Sequence, residues 1–317
     1  LFITHKLNEI KEVADRCTVL RKGKLVGTVD VADTSIEQMS EMMVGRKIDF
    51  AVEKADVEPG EPVLEVRGLT VGGKHTKKSV KDVSFTVRKG EIVCIAGIDG
   101  NGQSELVYAL TGLQPIEKGQ ILINGKDITH LSIRKRNAEG MSHIPEDRHK
   151  HGLVLDYSLE ENLVLKCYYT PIFQKNGFLK FQKINEYANC LIAKYDIRSG
   201  QGAKTIARSM SGGNQQKAIV AREIDLGPEI LIAVQPTRGL DVGAIEYIHK
   251  QLLSQREEGK AVLLISLELD EVMDISDRIL VIYEGEIVGE LDPKTATLQE
   301  LGLYMAGGKR DERSEAI

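Results

Sequence analysis

No apolar run in this sequence is long enough to cross a membrane. The longest, such as 230–234 and 261–265, have the length of a strand, well short of the about 18 residues a helical span needs. No basic segment leading into an apolar stretch marks a secretory signal. Cysteine is scarce as well. Cys17, Cys94, Cys167 and Cys190 lie far apart and form no C-x-x-C pair, which argues against a disulfide framework or a zinc site and for reduced thiols in a cytosolic protein. An excess of positive charge is missing: 42 Lys and Arg stand against 47 Asp and Glu, a net charge of -5, the wrong balance for a nucleic-acid surface. Nor does the chain open on Met. It begins Leu1-Phe2-Ile3-Thr4, a strand-like run without a start or capping signal, which reads as a domain cut in its middle. What remains is a composition of 42% hydrophobic and 28% charged residues over 317 positions, that of a globular protein with a sizeable core.

The sequence repeats itself. Residues 3–30 align without a gap to residues 265–292, and Ile3, Leu7, Glu9, Asp15, Arg16, Val19, Gly23, Val26, Gly27 and Asp30 recur identically. Both copies lead into a short amphipathic helix ending in glycine, over 35–45 and 297–307. Residues 1–47 are therefore expected to close one domain, and 63–308 to form a complete second one. Between them 48–62 reads as a polar linker punctuated by Pro and Gly, and 309–317 as a polar tail. The first third of the second domain carries β-branched or alternating runs at 63–71, 83–88, 91–96 and 120–123. Later apolar strands alternate with helical stretches, which implies a parallel sheet covered on both faces. Residues 156–209 change character: eight of the 15 aromatic residues lie from Tyr157 to Tyr195, and 181–195 has helical spacing. That region reads as a helical subdomain whose aromatics serve either its own core or an exposed rim that grips a partner.

A buried strand, a glycine-rich turn and a helix follow one another over 92–112. Gly97-Ile98-Asp99-Gly100-Asn101-Gly102-Gln103-Ser104 has the frame of a phosphate-binding loop, with Gln103 where that frame has lysine. Further along come Met210-Ser211-Gly212-Gly213-Asn214-Gln215-Gln216-Lys217, then Leu231-Ile-Ala-Val-Gln-Pro-Thr237, and then Gly239-Leu240-Asp241. In this order they resemble the signature motif, the Walker B strand and the D-loop of ABC ATPases. Ile144-Pro-Glu-Asp-Arg148 and the run 235–243 are similar to the second domain of two-domain ATPases of bacterial simple-sugar and nucleoside importers. The resemblance covers the whole chain. It implies an α/β P-loop NTPase fold, with a mixed sheet core, an antiparallel β subdomain and a helical subdomain, preceded by the end of another such domain.

The resemblance also assigns roles. Gly97, Asp99, Gly100, Asn101, Gly102, Gln103 and Ser104 would line the ATP phosphates, with Ser104 as a magnesium ligand. Glu146 takes the Q-loop position, and Ser211, Gly212, Gly213, Gln215 and Asp241 would face a nucleotide held by the other ATPase domain, since such domains pair head-to-tail. His5 occupies the switch position of the first domain, as the repeat aligns it with Leu267. Gln103 is neutral, Val234 replaces the magnesium-holding aspartate, Gln235 stands at the catalytic glutamate position and cannot accept a proton, and Leu267 replaces the switch histidine. Four such losses in one site predict that it binds ATP and Mg2+ without hydrolysis, while a second site, built from His5 and Ser211, works. The implied partners are transmembrane permease subunits and an extracellular substrate-binding protein, at the cytoplasmic face of the membrane. Two other functions are weighed: a soluble ABC ATPase acting on ribosomes or in DNA repair, which the short linker disfavours, and a regulatory nucleotide-binding module, which the intact signature disfavours. His143, His149 and His151 are expected in a solvated polar loop with Arg148 and Lys150, without the spacing of a metal site.

Overall fold

The structure, a computed structural model, describes residues 1–4, 7–21, 23–45, 54–72 and 78–311. It opens on α1 (Leu7–Val13), β1 (Arg16–Arg21), β2 (Lys24–Asp30) and α2 (Ile36–Val44). β1 and β2 form an antiparallel hairpin whose register shifts between Val19 and Leu20.

Two sheets make up the body of the chain. The first is antiparallel, in the order β4-β3-β6-β7: β3 (Pro62–Gly72), β4 (Lys78–Arg88), β6 (Lys118–Ile123) and β7 (Lys126–Asp127), with β5 (Ile92–Ala96) leaving it for the second sheet. That second sheet contains β8 (Met141–Ile144), β11 (Ile230–Val234), β12 (Ala261–Ser266), β13 (Arg278–Tyr283) and β14 (Glu286–Leu291), in the order β14-β13-β5-β12-β11-β8. All its neighbouring pairs are parallel except β13 with β14. The helices are α3 (Gln103–Thr111), α4 (Ile133–Ala138), α5 (Leu159–Val164), α6 (Phe181–Lys194), α7 (Gly212–Asp225), α8 (Val242–Glu257), α9 (Leu269–Ile275) and α10 (Leu298–Met305).

Every residue of β5, β11 and β12 is buried, and the period-2 geometry of a strand divides them between two cores. Cys94, Leu231, Ala233, Val262 and Leu264 face the helices α7 and α8. Val93, Ile95, Ile230, Ile232, Leu263 and Ile265 face α3 and the antiparallel sheet. A central sheet with apolar layers on both sides explains why these strands read as continuous hydrophobic runs rather than alternating ones.

The internal repeat is a structural repeat. α1 and β1 have the same bounds as α9 and β13, displaced by the offset of the alignment, and the bulge at Val19/Leu20 recurs at Val281/Ile282. Two differences follow from strand pairing. β13 is hydrogen-bonded to β14 and β5, whereas β1 pairs with β2 alone, so Leu20 is 69% exposed while its counterpart Ile282 is fully buried. Leu1–Thr4, expected as a strand, lies in none. Its counterpart in β12 is held between β5 and β11, whereas Leu1–Thr4 joins no ladder among the described residues.

The region 156–209 is not wholly helical. A hairpin of β9 (Gln174–Lys175) and β10 (Phe178–Leu179) precedes α6. Its two-residue turn, Asn176-Gly177, has φ of 53° and 85°, the left-handed pair such hairpins require. The aromatics divide accordingly: Phe173 and Tyr195 are buried, while Tyr157, Tyr168, Phe178 and Phe181 are exposed.

Candidate nucleotide site

The carboxyl ends of the central strands gather the candidate residues at one edge of the sheet, where ligands of open α/β sheets bind. The 97–104 loop leaves β5, Pro145–Asp147 follow β8, Gln235 follows β11 and Leu267 follows β12.

The loop is tightly braced. Gly102 has φ of 103°, and a Cβ there would lie 2.2 Å from the Ser79 carbonyl oxygen. No other residue fits. The Asn101 side chain donates to the Ile98 carbonyl (3.0 Å) and accepts from the Glu284 N–H (2.8 Å), which ties the loop to the β13–β14 turn. Gln103 does not reach outward. It is 7% exposed, its Oε1 accepts from the Asn101 N–H at 3.0 Å, and its Nε2 donates to the Ile98 carbonyl at 3.0 Å. Both polar ends of its amide are therefore used within the loop, and one loop N–H is taken as well. Asp99 and Gly100 are exposed at the tip.

A cavity of about 510 Å3 opens beside the loop, and Ser104, Glu146 and Val234 all line it. Val234 brings only methyl groups to the strand end where a carboxylate would hold a cation. Glu146 is committed elsewhere: it accepts from Gln235 Nε2 at 3.0 Å and forms an ion pair with Arg238. A second carboxylate of the wall, Asp147, is engaged in capping the His149 and Lys150 N–H groups. One hydroxyl and two engaged carboxylates are a poor set for a magnesium ion, which takes hard oxygen ligands in octahedral geometry. Gln235 has φ of 43°, an uncommon conformation for a side chain other than glycine and one found at functional turns.

The signature residues lie outside this cavity. Ser211 is exposed at the N-cap of α7 and accepts from Asn214 Nδ2 at 2.9 Å; with Asn214 it borders a second cavity of about 500 Å3. Gly212 and Gly213 begin the helix, whose unpaired N–H groups suit an anion. Gln215 differs from the expectation. It is 4% exposed, bonded to His149 Nε2 at 2.9 Å and donating to the Ala207 carbonyl at 2.9 Å. It stands one turn below Ser211, and its contacts to His149 and Ala207 hold its amide beneath the signature surface. Asp241 caps α8 by accepting from the Ala244 N–H. His5 lies outside the described residues, as do parts of the linker (48–53) and tail (312–317).

The family profile described as ABC transporter matches residues 80–238, half of the chain. The chain belongs to the ABC transporter family. It is similar to the nucleoside import ATP-binding protein NupA of Lactococcus lactis subsp. cremoris, 52% identical over 312 residues, which are 98% of this chain and 62% of that protein. It is also similar to the guanosine import ATP-binding protein NupO of Bacillus subtilis, 52% identical over 304 residues, 96% of this chain and 59% of that one. The chain thus spans about three-fifths of the length of these curated relatives. A nucleotide-free ATP-binding cassette from an ABC transporter shares the fold, with a TM-score of 0.64 and 20% identity over 77% of this chain and 99% of that one.

Two residues of this ABC cassette site escaped the sequence reading. Arg238 meets Glu146 from far along the chain, and no local pattern announces that pairing. Arg148 donates to the Arg238 carbonyl at 3.1 Å, and its guanidinium lies where a Cβ on Gly212 or Gly239 would meet it. It thereby joins the signature helix to the D-loop. The Pro-Glu-Asp-Arg run was visible, but its partners were not.

His143 is a correction. It sits in β8, in register with Ile232, rather than in the polar loop; His149 and His151 occupy the π-helical turn Arg148–Gly152 after it. Its Nε2 is shielded and has no partner. Burial lowers its pKa to about 4, against the opposing pull of Glu223. A histidine that binds its proton more readily when unfolded, near 6.5, contributes stability above that pH and loses it as pH falls towards about 4. The difference is worth about 3 kcal/mol. Melting temperatures measured from pH 7 to pH 4.5 should therefore fall, and His143→Gln should flatten that fall. An unchanged slope in the variant would refute the assignment.

Proposed function

We propose that this chain is the C-terminal part of the ATP-binding subunit of a bacterial nucleoside importer, and that its own nucleotide site binds ATP without hydrolysing it. The observation that carries the second statement is the spent chemistry of the site: Gln103 is folded into its own loop, Val234 offers no ligand and Glu146 is paired with Arg238. The printed names of the relatives, nucleoside and guanosine import, support the first.

The repeat supports a division of labour. Residues 1–47 close a preceding ATPase domain and 48–62 link it to the domain 63–308, with 309–317 as a tail. In the paired arrangement Ser211, Gly212 and Gly213 complete the site of that other domain, which also contains His5. The hydrolytic site then lies there, and this chain supplies its lid. A permease pair and an extracellular binding protein would take up the motion, with the ATPase on the cytoplasmic face. Among the described residues no helix is long and apolar enough to cross a membrane.

Uptake of labelled guanosine and labelled ribose, in cells with and without the intact protein, tests the reading. Guanosine uptake should depend on the protein and ribose uptake should not. The reverse pattern identifies a sugar importer, and no dependence for either substrate removes the importer reading.

A further inference from the structure

We propose that the hairpin of β9 and β10 and the segments around it form a docking surface for an anionic lipid bilayer. Residues 162–185 hold no aspartate or glutamate and four lysines, Lys166, Lys175, Lys180 and Lys183, within a chain whose net charge is -5. The same stretch carries the exposed apolar side chains Tyr168, Ile172, Phe178, Leu179 and Phe181; Phe178, next to the turn, is 81% exposed.

The patch is displayed on a firm base. Val164, Cys167, Phe173 and Ile184 form a small core beneath it, the Phe173 and Tyr187 rings lie 5.1 Å apart, and the Lys180 N–H returns to the Phe173 carbonyl at 2.8 Å. Across the hairpin Lys175 stands directly opposite Phe178, which places a cation and an aromatic ring on one face. Lys175 has no ion-pair partner among the described residues, and Lys180 Nζ meets only the Pro171 carbonyl. Lys183 is held by Glu186 in an exposed pair, and Lys166 is committed to Glu223. From α4, Arg134 lies 3.5 Å from the centroid of the Tyr169 ring, and its neighbour Ile133 is exposed.

The chemistry favours lipid over a protein partner. Protein interfaces are depleted of lysine and seat their aromatic anchors in complementary pockets. Here the cations that remain available near the tip are lysines, and Phe178 stands beside a two-residue turn with Leu179 next to it, both exposed, which is the shape of an insertion. Long lysine stems lie along an apolar boundary with their ammonium groups at the headgroups. Anionic headgroups attract each such charge, and the attraction fades with added salt. The importer reading is independent of this surface, since uptake tests it separately.

Flotation of the intact protein with vesicles of phosphatidylcholine alone, and of phosphatidylcholine mixed with phosphatidylglycerol, decides the matter. The expected result is partitioning onto the mixed vesicles only, weakened by salt. Lys175→Glu and Phe178→Ser should each reduce the partition coefficient by roughly fivefold or more, with the melting temperature unchanged because both side chains are exposed. Equal binding to neutral vesicles, or binding that neither variant alters, would overturn the proposal. So would variants that lose a permease in detergent while the unaltered protein ignores vesicles, which would make the patch a protein interface.

Discussion

On the proposed function, Ser211→Arg in the full-length protein is expected to lower ATP turnover by roughly 100- to 1000-fold, whereas Gln103→Ala lowers it by less than about threefold. The asymmetry follows from where each side chain points. Ser211 is exposed at the start of a 14-residue helix whose first N–H groups and positive end are open to solvent. In the proposed head-to-tail pair that surface would meet the terminal phosphate in the other domain's site, where preorganised donors act on charge that develops during the reaction. An arginine side chain there would occupy the phosphate's place. Ser211 makes no capping bond to its own helix, so a folding defect is not expected, and a thermal melt checks this. Gln103 is already withdrawn into its loop, so removing it alters only the loop of the site proposed not to turn over. Steady-state phosphate release from the two variants gives the ranking directly. The opposite ranking would place hydrolysis in the site of this chain.

The largest effect on stability is expected at Glu223. Its carboxylate is fully buried between α7, β8 and the end of α5, accepting from Lys166 Nζ at 2.5 Å, Arg222 Nε at 3.0 Å and the His143 N–H at 3.2 Å. Burial alone would raise its pKa, but Lys166 and Arg222 outweigh that and hold it at about 2. Glu223→Ala leaves Arg222 buried without its partner, which costs about 3–5 kcal/mol and should lower the melting temperature by roughly 10 °C. Because the folded pKa is depressed, the ion pair stabilises the protein above about pH 4.5, and that stability drains away as pH falls towards 2. The Glu223 loss thus begins at more acidic pH than the loss from His143, and the two can be resolved by melting each variant across the range. If Glu223→Ala melted within about 2 °C of the unaltered protein, the network would be too weak for this account.

Short-range patterns carried most of the architecture. The phosphate-loop frame, the signature run and the repeat could be read because each is a local alternation or spacing, and α9 and β13 fall where the aligned positions of the repeat put them. What could not be read depends on contacts made across the sheet. Glu146 looks like an extra negative charge until Arg238 is seen beside it. His143 looks like part of a polar loop because its neighbours in sequence are polar, yet pairing with β11 draws it into the strand. Gln215 sits one helical turn after the exposed Ser211, and only its contacts to His149 and the Ala207 carbonyl, made outside its own helix, show that its amide is buried. Leu1–Thr4 has the composition of a strand but pairs with no strand among the described residues. The Asn176-Gly177 hairpin escaped the sequence reading: the dipeptide is a strong hairpin signal, but its two-residue strands are too short to show alternation.

The most direct test of the central claim is the fate of ATP on this chain. ATP labelled at the terminal phosphate is equilibrated with the protein, with and without magnesium, and the bound label is recovered and separated from free phosphate. The account predicts that the bound label is recovered as intact ATP and that magnesium makes little difference, since beside Val234 the cavity offers the ion the Ser104 hydroxyl and two carboxylates, Glu146 and Asp147, that are already engaged. Magnesium-dependent release of phosphate that survives Ser211→Arg and is lost on Ser104→Ala would contradict it.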